Sequence, residues 1–394
     1  MIPVVVTGMG AVCPLGLQLA PIWKALVEGQ RVRHVISLFE TAGCRCRFGA
    51  QVALPETTKA ERRLSRASRL ALRAAEEALE QAQVYGSSRQ DIHLSVSTNG
   101  GAMEWGEAFV REVEKSRRSI KISHVSRYQP QQQVLDLQRG LGLTGTFTIM
   151  ANACASSANS IGHGYDLIRS GLAEIVLVGG YEALTELIFV GFDCLQALSP
   201  DECRPFDCER NGLMLGEGAA FMVLESDSHA RRRKAPVLGR ILGYGHATDL
   251  HHLTQPAPDG LALIQAMRAG LQTASLSLES IAYINAHGTA TPTNDGVEAG
   301  AYAQLFGSHL PGLRVSSTKA AIGHTLGAAG ALEAVFALCA SKTGNLPPQL
   351  GVTHALPEIA SSLVQARETI AIGLPVMSTN LGFGGGNAAL ILCA

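Results

Sequence analysis

The chain is 394 residues long, with 46% hydrophobic and 16% charged residues and a formal net charge of −1. That composition calls for a large buried core and gives no basis for bulk attraction to nucleic acid or a membrane surface. The cysteine count, 9, is odd and without repeated spacing, which points to a reducing, cytoplasmic compartment rather than a disulfide framework or a zinc site.

The amino terminus, MIPVVVTGMGAVCPLG, lacks a basic start. It reads as a strand over residues 3–7 and a turn at Gly8-Met9-Gly10, which does not fit a signal peptide. Cys13 stands where a dinucleotide-binding loop needs a third glycine. No apolar run approaches the ~18 residues of a membrane span. Residues 62–82 have helical periodicity. Leu64, Ala67, Ala71, Ala74 and Ala78 form one apolar face, and Arg62, Arg66, Arg69 and Arg73 form a second, basic stripe. The stripe is either an ordinary solvated face or a dock for an acidic partner. Residues 92–97 read as a strand, and residues 102–140, charged and glutamine-rich, resist assignment.

The most informative stretch is 148–180. An apolar strand ends near Ala151, and a turn of small residues runs from Asn152 to Ser157. Ala158, Ile161, Tyr165 and Ile168 then recur at helical spacing, until Arg169 and Gly171 mark the end. Residues 174–178 form another buried strand. Cys154 therefore sits where a strand becomes a helix. A helix N-terminus presents unpaired N–H groups and partial positive charge, a setting that favours thiolate and makes a nucleophile. The turn suits a buried, space-filling cysteine equally well.

A loop over 204–217 and a strand over 219–224 follow. The charged run Arg231 to Lys234 before Pro236 marks a boundary, dividing the chain into 1–230 and 236–394. The polar loop 249–260 carries His251 and His252. Adjacent histidines on an extended chain cannot both face one site, so no metal centre is expected. Strands over 281–286 and 314–317, helices from about Asn294 and through Leu332, Val335, Phe336 and Cys339, and a hairpin over 376–392 complete the second half. Strand and helix alternate in both halves, an α/β pattern that places polar residues at strand ends. Cys154, His287, Lys319 and His324 all follow strand ends, among Gly, Ala, Ser and Thr neighbours that leave room for a substrate. A cysteine beside two imidazoles suits acyl-thioester chemistry.

Seven motifs carry a resemblance: VVVTGMGAVCPLG at 4–16, NACASSANSIG at 152–162, RPFDCERNGLMLGEGAA at 204–220, HLTQPAPDG at 252–260, NAHGTATPTND at 285–295, SSTKAAIGHTLGAAGALEA at 316–334 and NLGFGGGNAAL at 380–390. In these, and in their order, the chain resembles the elongating, Cys-His-His β-ketoacyl-acyl-carrier-protein synthases of the thiolase superfamily. The resemblance implies a thiolase-like five-layered αβαβα fold from two similar halves, with helices around and between two mixed sheets. It implies that Cys154 takes an acyl group, and that malonyl carrier protein is decarboxylated to an enolate that attacks the thioester. His287 and His324 would donate to the enolate oxygen, and the backbone N–H groups of Cys154 and Phe383 to the tetrahedral oxyanion. Lys319, with Glu333 as its buried partner, would order the site. Phe383 would be a gate and Asp249 part of the facing loop. Thr289, Thr291 and Asn387 would bind substrate, and Arg62, Arg66, Arg69 and Arg204 would dock the carrier.

The implied partners are acyl carrier protein and either an identical or a related ketosynthase-like subunit. No cofactor is implied beyond the carrier's phosphopantetheine. Leu381, Gly386 and Asn152 depart from the family's usual Phe, Thr, and Thr or Asp, and bear on acyl-chain preference in primary or specialised metabolism. A thiolase would need a second cysteine near the turn 382–386, which has none; Cys393 lies in the terminal strand. A silent chain-length factor typically replaces the nucleophile, which is retained here.

Overall fold

The computed structural model describes residues 2–59, 61–115 and 121–394. The first half supplies strands β1 (Val4–Val12), β2 (His93–Ser97), β3 (Phe147–Met150), β4 (Ile175–Glu182) and β5 (Gly218–Ser226). The second supplies β6 (Gly239–Thr248), β7 (Tyr283–Asn285), β8 (Arg314–Ser316), β9 (Val376–Leu381) and β10 (Gly386–Cys393). From the outer edge inwards the halves run β3-β2-β4-β5-β1 and β8-β7-β9-β10-β6, the same order by rank. Ranks two, three and four run parallel to one another, and rank five runs antiparallel to both its neighbours, four and one, in both halves. Where two separate sheets were expected, β1 and β6 pair antiparallel from Val4↔Ile241 to Val6↔Gly239 and join the halves into one ten-stranded sheet.

Four helices set the layers: α1 (Arg66–Gln81), α2 (Ser156–Arg169), α3 (Leu261–Ala274) and α4 (Ala329–Thr343). Helices α2 and α4 pack on each other and touch strands of both halves, whereas α1 covers β1 and β5 and α3 covers β6 and β10. The result is the thiolase-like αβαβα stack, with a central core around Ile161, Tyr165, Leu332 and Phe336 and an outer core under α1 and under α3. Burial on all sides explains why α4 is apolar all round. The stretch Leu326–Thr343 has the length and hydropathy of a membrane span after all, but 89% of it is buried inside the protein.

Two expectations about α1 change. Gly8 and Gly10 lie inside β1, not in a turn. A Cβ on either would fall 2.0 Å from a carbonyl oxygen of α1, Ala78 or Ala74 respectively; the glycines let helix and strand touch. The helix also starts later, because the Ser65 side chain caps it by accepting the Ser68 N–H at 2.9 Å. Arg62 is left outside the helix, exposed in a turn over Glu61–Arg63.

The basic stripe is largely internal. Arg66 Nε donates to the buried Glu217 carboxylate at 2.8 Å. Arg69, 8% exposed, donates to Pro55 O at 2.6 Å and Thr57 Oγ1 at 3.0 Å. Arg73 lies 4.0 Å from Glu61, and Arg204, half-buried, 3.8 Å from Glu209. The chain at 52–57 and the Glu217 carboxylate cover this face, which no local periodicity reveals. The unassigned segment 102–140 contains helices at Met103–Lys115, Ser123–Tyr128 and Pro130–Leu141, with 116–120 outside the described residues.

Candidate active site

Cys154 is presented by a tight corner between β3 and α2. Ala153 adopts φ +58, a left-handed conformation costly for a residue with a Cβ. Ser156 holds the corner: its hydroxyl accepts the Asn152 N–H at 2.8 Å and donates to Ala153 O at 2.5 Å. Gly382, in the β9–β10 turn, lies over the corner, where a Cβ would be 3.3 Å from Cys154 N. The thiol is only 5% exposed, and burial pushes it up to about 11, against the opposing pull of the Lys319 charge and the Phe383 N–H. The resting group is a thiol. Desolvation outweighs the helix-end effect that favoured thiolate.

The second half supplies the rest from matching positions. Lys319 and His324 follow β8, the third strand of its half, as Cys154 follows β3; His287 follows β7. His324 Nε2 is 3.0 Å from Cys154 Sγ, and the His287 and His324 rings meet edge to face with centroids 5.3 Å apart. Burial, then the Lys319 charge, holds both histidines well below the ordinary imidazole range, so both are neutral. The Leu326 N–H donates to His324 Nδ1 at 3.3 Å, which assigns the remaining proton to Nε2. Lys319 Nζ stands 3.3 Å from His287 Nδ1 and donates to His287 O at 2.6 Å. That contact leaves His287 Nε2 as the N–H. Both imidazoles therefore donate through Nε2. Lys319 also pairs with Glu333, whose other oxygen accepts from Asn380 Nδ2 at 2.6 Å.

Cys154 Sγ and one nitrogen of each histidine lie within 4.8 Å of one another. The adjoining Lys319 ammonium opposes a divalent cation there.

Cys154, His287 and His324 open into a cavity of about 200 Å³ that is also lined by Asp249, Thr289, Thr291, Phe383 and Asn387. The structure thus brings these predicted residues together, with Lys319 and Glu333 behind His287. Arg62, Arg66, Arg69 and Arg204 do not line it. Phe383 stacks on Phe192 at 5.7 Å. The Asp249 N–H donates to Gly385 O at 3.0 Å and the Gly384 N–H to Leu253 O at 2.8 Å, so the turn carrying Phe383 is tied to the 249–254 loop.

Several supporting residues escaped the sequence reading. Glu298 accepts the N–H groups of His287 and Gly288, both at 2.7 Å, and Asp295 accepts those of Thr289 and Ala290. Glu182 accepts from Asn99, Gly100, Gly101 and Gly327, tying the loop after β2 to the turn before α4. Their signal was available: buried acids beside runs of small strand-end residues, where backbone donors lack partners.

A buried cysteine facing two neutral, donating imidazoles across the junction of two matching halves defines an acyl-transferring condensing enzyme of thiolase-like fold. The chain matches "Beta-ketoacyl synthase, N-terminal domain" over residues 1–230 and "Beta-ketoacyl synthase, C-terminal domain" over 238–353. A 3-oxoacyl-[acyl-carrier-protein] synthase 2 of Synechocystis sp. is 32% identical, with 98% of this chain and 97% of the relative covered. Among solved structures, a beta-ketoacyl synthase from Burkholderia phymatum STM815 superposes with TM-score 0.91 at 32% identity, covering 100% of this chain and 99% of that one. The ishigamide ketosynthase/chain length factor superposes with TM-score 0.92 at 28% identity and the same coverage. The chain belongs to the beta-ketoacyl synthase family.

Proposed function

We propose that the protein is a 3-oxoacyl-[acyl-carrier-protein] synthase, joining an acyl thioester held on Cys154 to malonyl carrier protein with loss of carbon dioxide. The observation that carries the reading is the pair of Nε2–H donors, one 3.0 Å from Cys154 Sγ. In the first half-reaction Cys154 attacks the incoming acyl thioester. The carrier thiol leaves and takes up the proton that Cys154 gives up. The His324 N–H stabilises charge on sulfur as this happens. Malonyl thioester then enters past Thr289 and Thr291, with Asn387 on the same wall. Breaking its carboxylate C–C bond releases carbon dioxide and leaves an enolate, whose oxygen is stabilised by His287 and His324. The enolate carbon attacks the acyl carbonyl. The Cys154 and Phe383 N–H groups receive the tetrahedral oxyanion, and collapse expels the Cys154 sulfur and releases a 3-oxoacyl chain two carbons longer.

Lys319, paired with Glu333, holds His287 in its tautomer rather than moving a proton. Phe383 and Asp249 act as the gate. The reading calls for no group beyond the phosphopantetheine arm, and a cytoplasmic location belongs to it, in keeping with nine free thiols. The test is condensation of acyl and malonyl carrier protein by the purified protein. Cys154→Ala should abolish acylation, and replacement of His287 or His324 should depress decarboxylation more than acylation. Normal condensation by Cys154→Ala would defeat the proposal.

A second reading rests on the likeness to a ketosynthase/chain length factor pair. In it this chain, which keeps its nucleophile, is the active half of a heterodimer with a related subunit, and elongates a specialised chain. Native mass measurement with and without a candidate subunit, and a panel of saturated and unsaturated acyl carriers, separate it from a housekeeping homodimer.

A further inference from the structure

Of the four arginines expected to receive an acidic carrier, Arg66 and Arg69 are tied up inside the protein, Arg204 is half-buried and Arg62 is exposed, yet any carrier must still approach the mouth of the Cys154 cavity. The described residues at that mouth show a different chemistry. Leu250 is 97% exposed and Leu253 79% exposed, both on the loop whose Asp249, His252, Thr254 and Gln255 line the cavity. Leu195, 58% exposed, also lines the cavity, beside Gln196. Single exposed leucines need no explanation. Three around one opening form a surface that water solvates poorly.

We infer that Leu195, Leu250 and Leu253 form an apolar rim on which the helical carrier domain lays the apolar face of an amphipathic helix while its arm reaches Cys154. The inference rests on the condensing-enzyme reading above and adds where, and by which chemistry, the partner lands. The leucines point outward, so they serve a macromolecule at the mouth rather than the acyl chain within. Helix-in-groove recognition of this kind is driven by burial of a few anchors. The rim is also mechanically joined to the gate: Leu253 O accepts the Gly384 N–H at 2.8 Å, and the Asp249 N–H donates to Gly385 O at 3.0 Å. A carrier seated on the rim bears directly on the turn that holds Phe383 over the nucleophile.

The experiment compares wild type with Leu250→Asp, at a residue that makes neither of the two bonds to the Phe383 turn, using carrier-bound thioesters and, separately, free pantetheine thioesters of the same acyl groups. The rim predicts a rise in KM for the carrier-bound substrate of about tenfold, or about 1.4 kcal/mol, with kcat and KM for the free thioester unchanged. Wild-type KM for the carrier should respond little to added salt, since burial of apolar surface is not screened. An unchanged carrier KM overturns the inference. So does equal damage to both substrates, which would make the loop part of the gate alone, and so does a steep salt dependence, which would make docking a matter of charge. A wild-type dimer that Leu250→Asp dissolves into monomers, by sedimentation, would assign the rim to a second subunit and also overturn it. Leu250→Ser repeats the comparison if the aspartate variant fails to fold. Failure of wild type to condense either kind of thioester would instead refute the functional reading itself.

Discussion

The state of Cys154 gives the sharpest test of the site. Burial lifts the thiol from an ordinary 9 to about 11, a shift worth about 3 kcal/mol against the thiolate. At about pH 8 the thiolate fraction is then on the order of one in a thousand. Alkylation by iodoacetamide consumes the thiolate alone, so the rate at Cys154 should climb about tenfold per pH unit from about pH 7 to pH 10, without a plateau. Peptide mass spectrometry separates Cys154 from the exposed Cys194 and Cys208. The charge of Lys319 is the largest influence pulling the thiol down. Lys319→Met should therefore slow alkylation at every pH in the range. A plateau below about pH 8.5 would show that the helix end and the His324 N–H overcome desolvation and hold a thiolate. Faster alkylation in Lys319→Met would refute the electrostatic account outright.

Three further outcomes follow from buried charge. Glu333→Gln strips Lys319 of its buried partner and should cost about 3–5 kcal/mol in urea unfolding; a cost below about 1 kcal/mol, the range of exposed pairs, would mean that water reaches the ammonium. Arg66→Ala leaves the fully buried Glu217 without its guanidinium and should cost a comparable amount, while any change in KM should be equal for carrier-bound and free thioesters; a selective carrier effect would return Arg66 to a docking role. Glu104 is raised by burial to about 7 from an ordinary 4.5. The native state therefore binds its proton more tightly than the unfolded chain. The stability this confers is complete below about pH 4.5 and lost as pH rises through 7. Glu104→Gln should flatten that fall without abolishing it, because burial also raises Glu298, to about 7, and likewise Glu182, Asp295 and Glu333; an unaltered slope would show that Glu104 stays ionised.

The catalytic core was legible because it lies at strand ends, and strand ends are local. The apolar run before Cys154, the small residues around it and the helical spacing after it can be counted in the chain, and β3, the corner and α2 follow that pattern. The same holds for His287 after β7 and for Lys319 after β8. The arginine stripe failed for the opposite reason. Its spacing is helical from Arg66 onward, but whether a helix face meets water depends on what else lies against it, and here Pro55, Thr57 and Glu217 do. Gly8 and Gly10 failed similarly. A glycine pair reads as a turn until a helix is known to lie within touching distance.

By itself, then, the sequence determined the alternation of strand and helix, the strand-end placement of Cys154, His287, Lys319 and His324, and the family to which these motifs belong. Each is a property of a few neighbouring residues, set by side-chain periodicity and backbone preference. The tertiary structure alone decided that β1 and β6 merge the halves into one sheet, that Cys154 rests as a thiol, and that both imidazoles carry their proton on Nε2. It also decided that Arg66 and Arg69 are held inside while Leu250 and Leu253 stand exposed on the loop that lines the cavity. Those outcomes depend on desolvation, on tautomers set by hydrogen bonds, and on exposure. All three are created only when segments far apart in the chain, such as 154 and 324 or 66 and 217, are brought into contact.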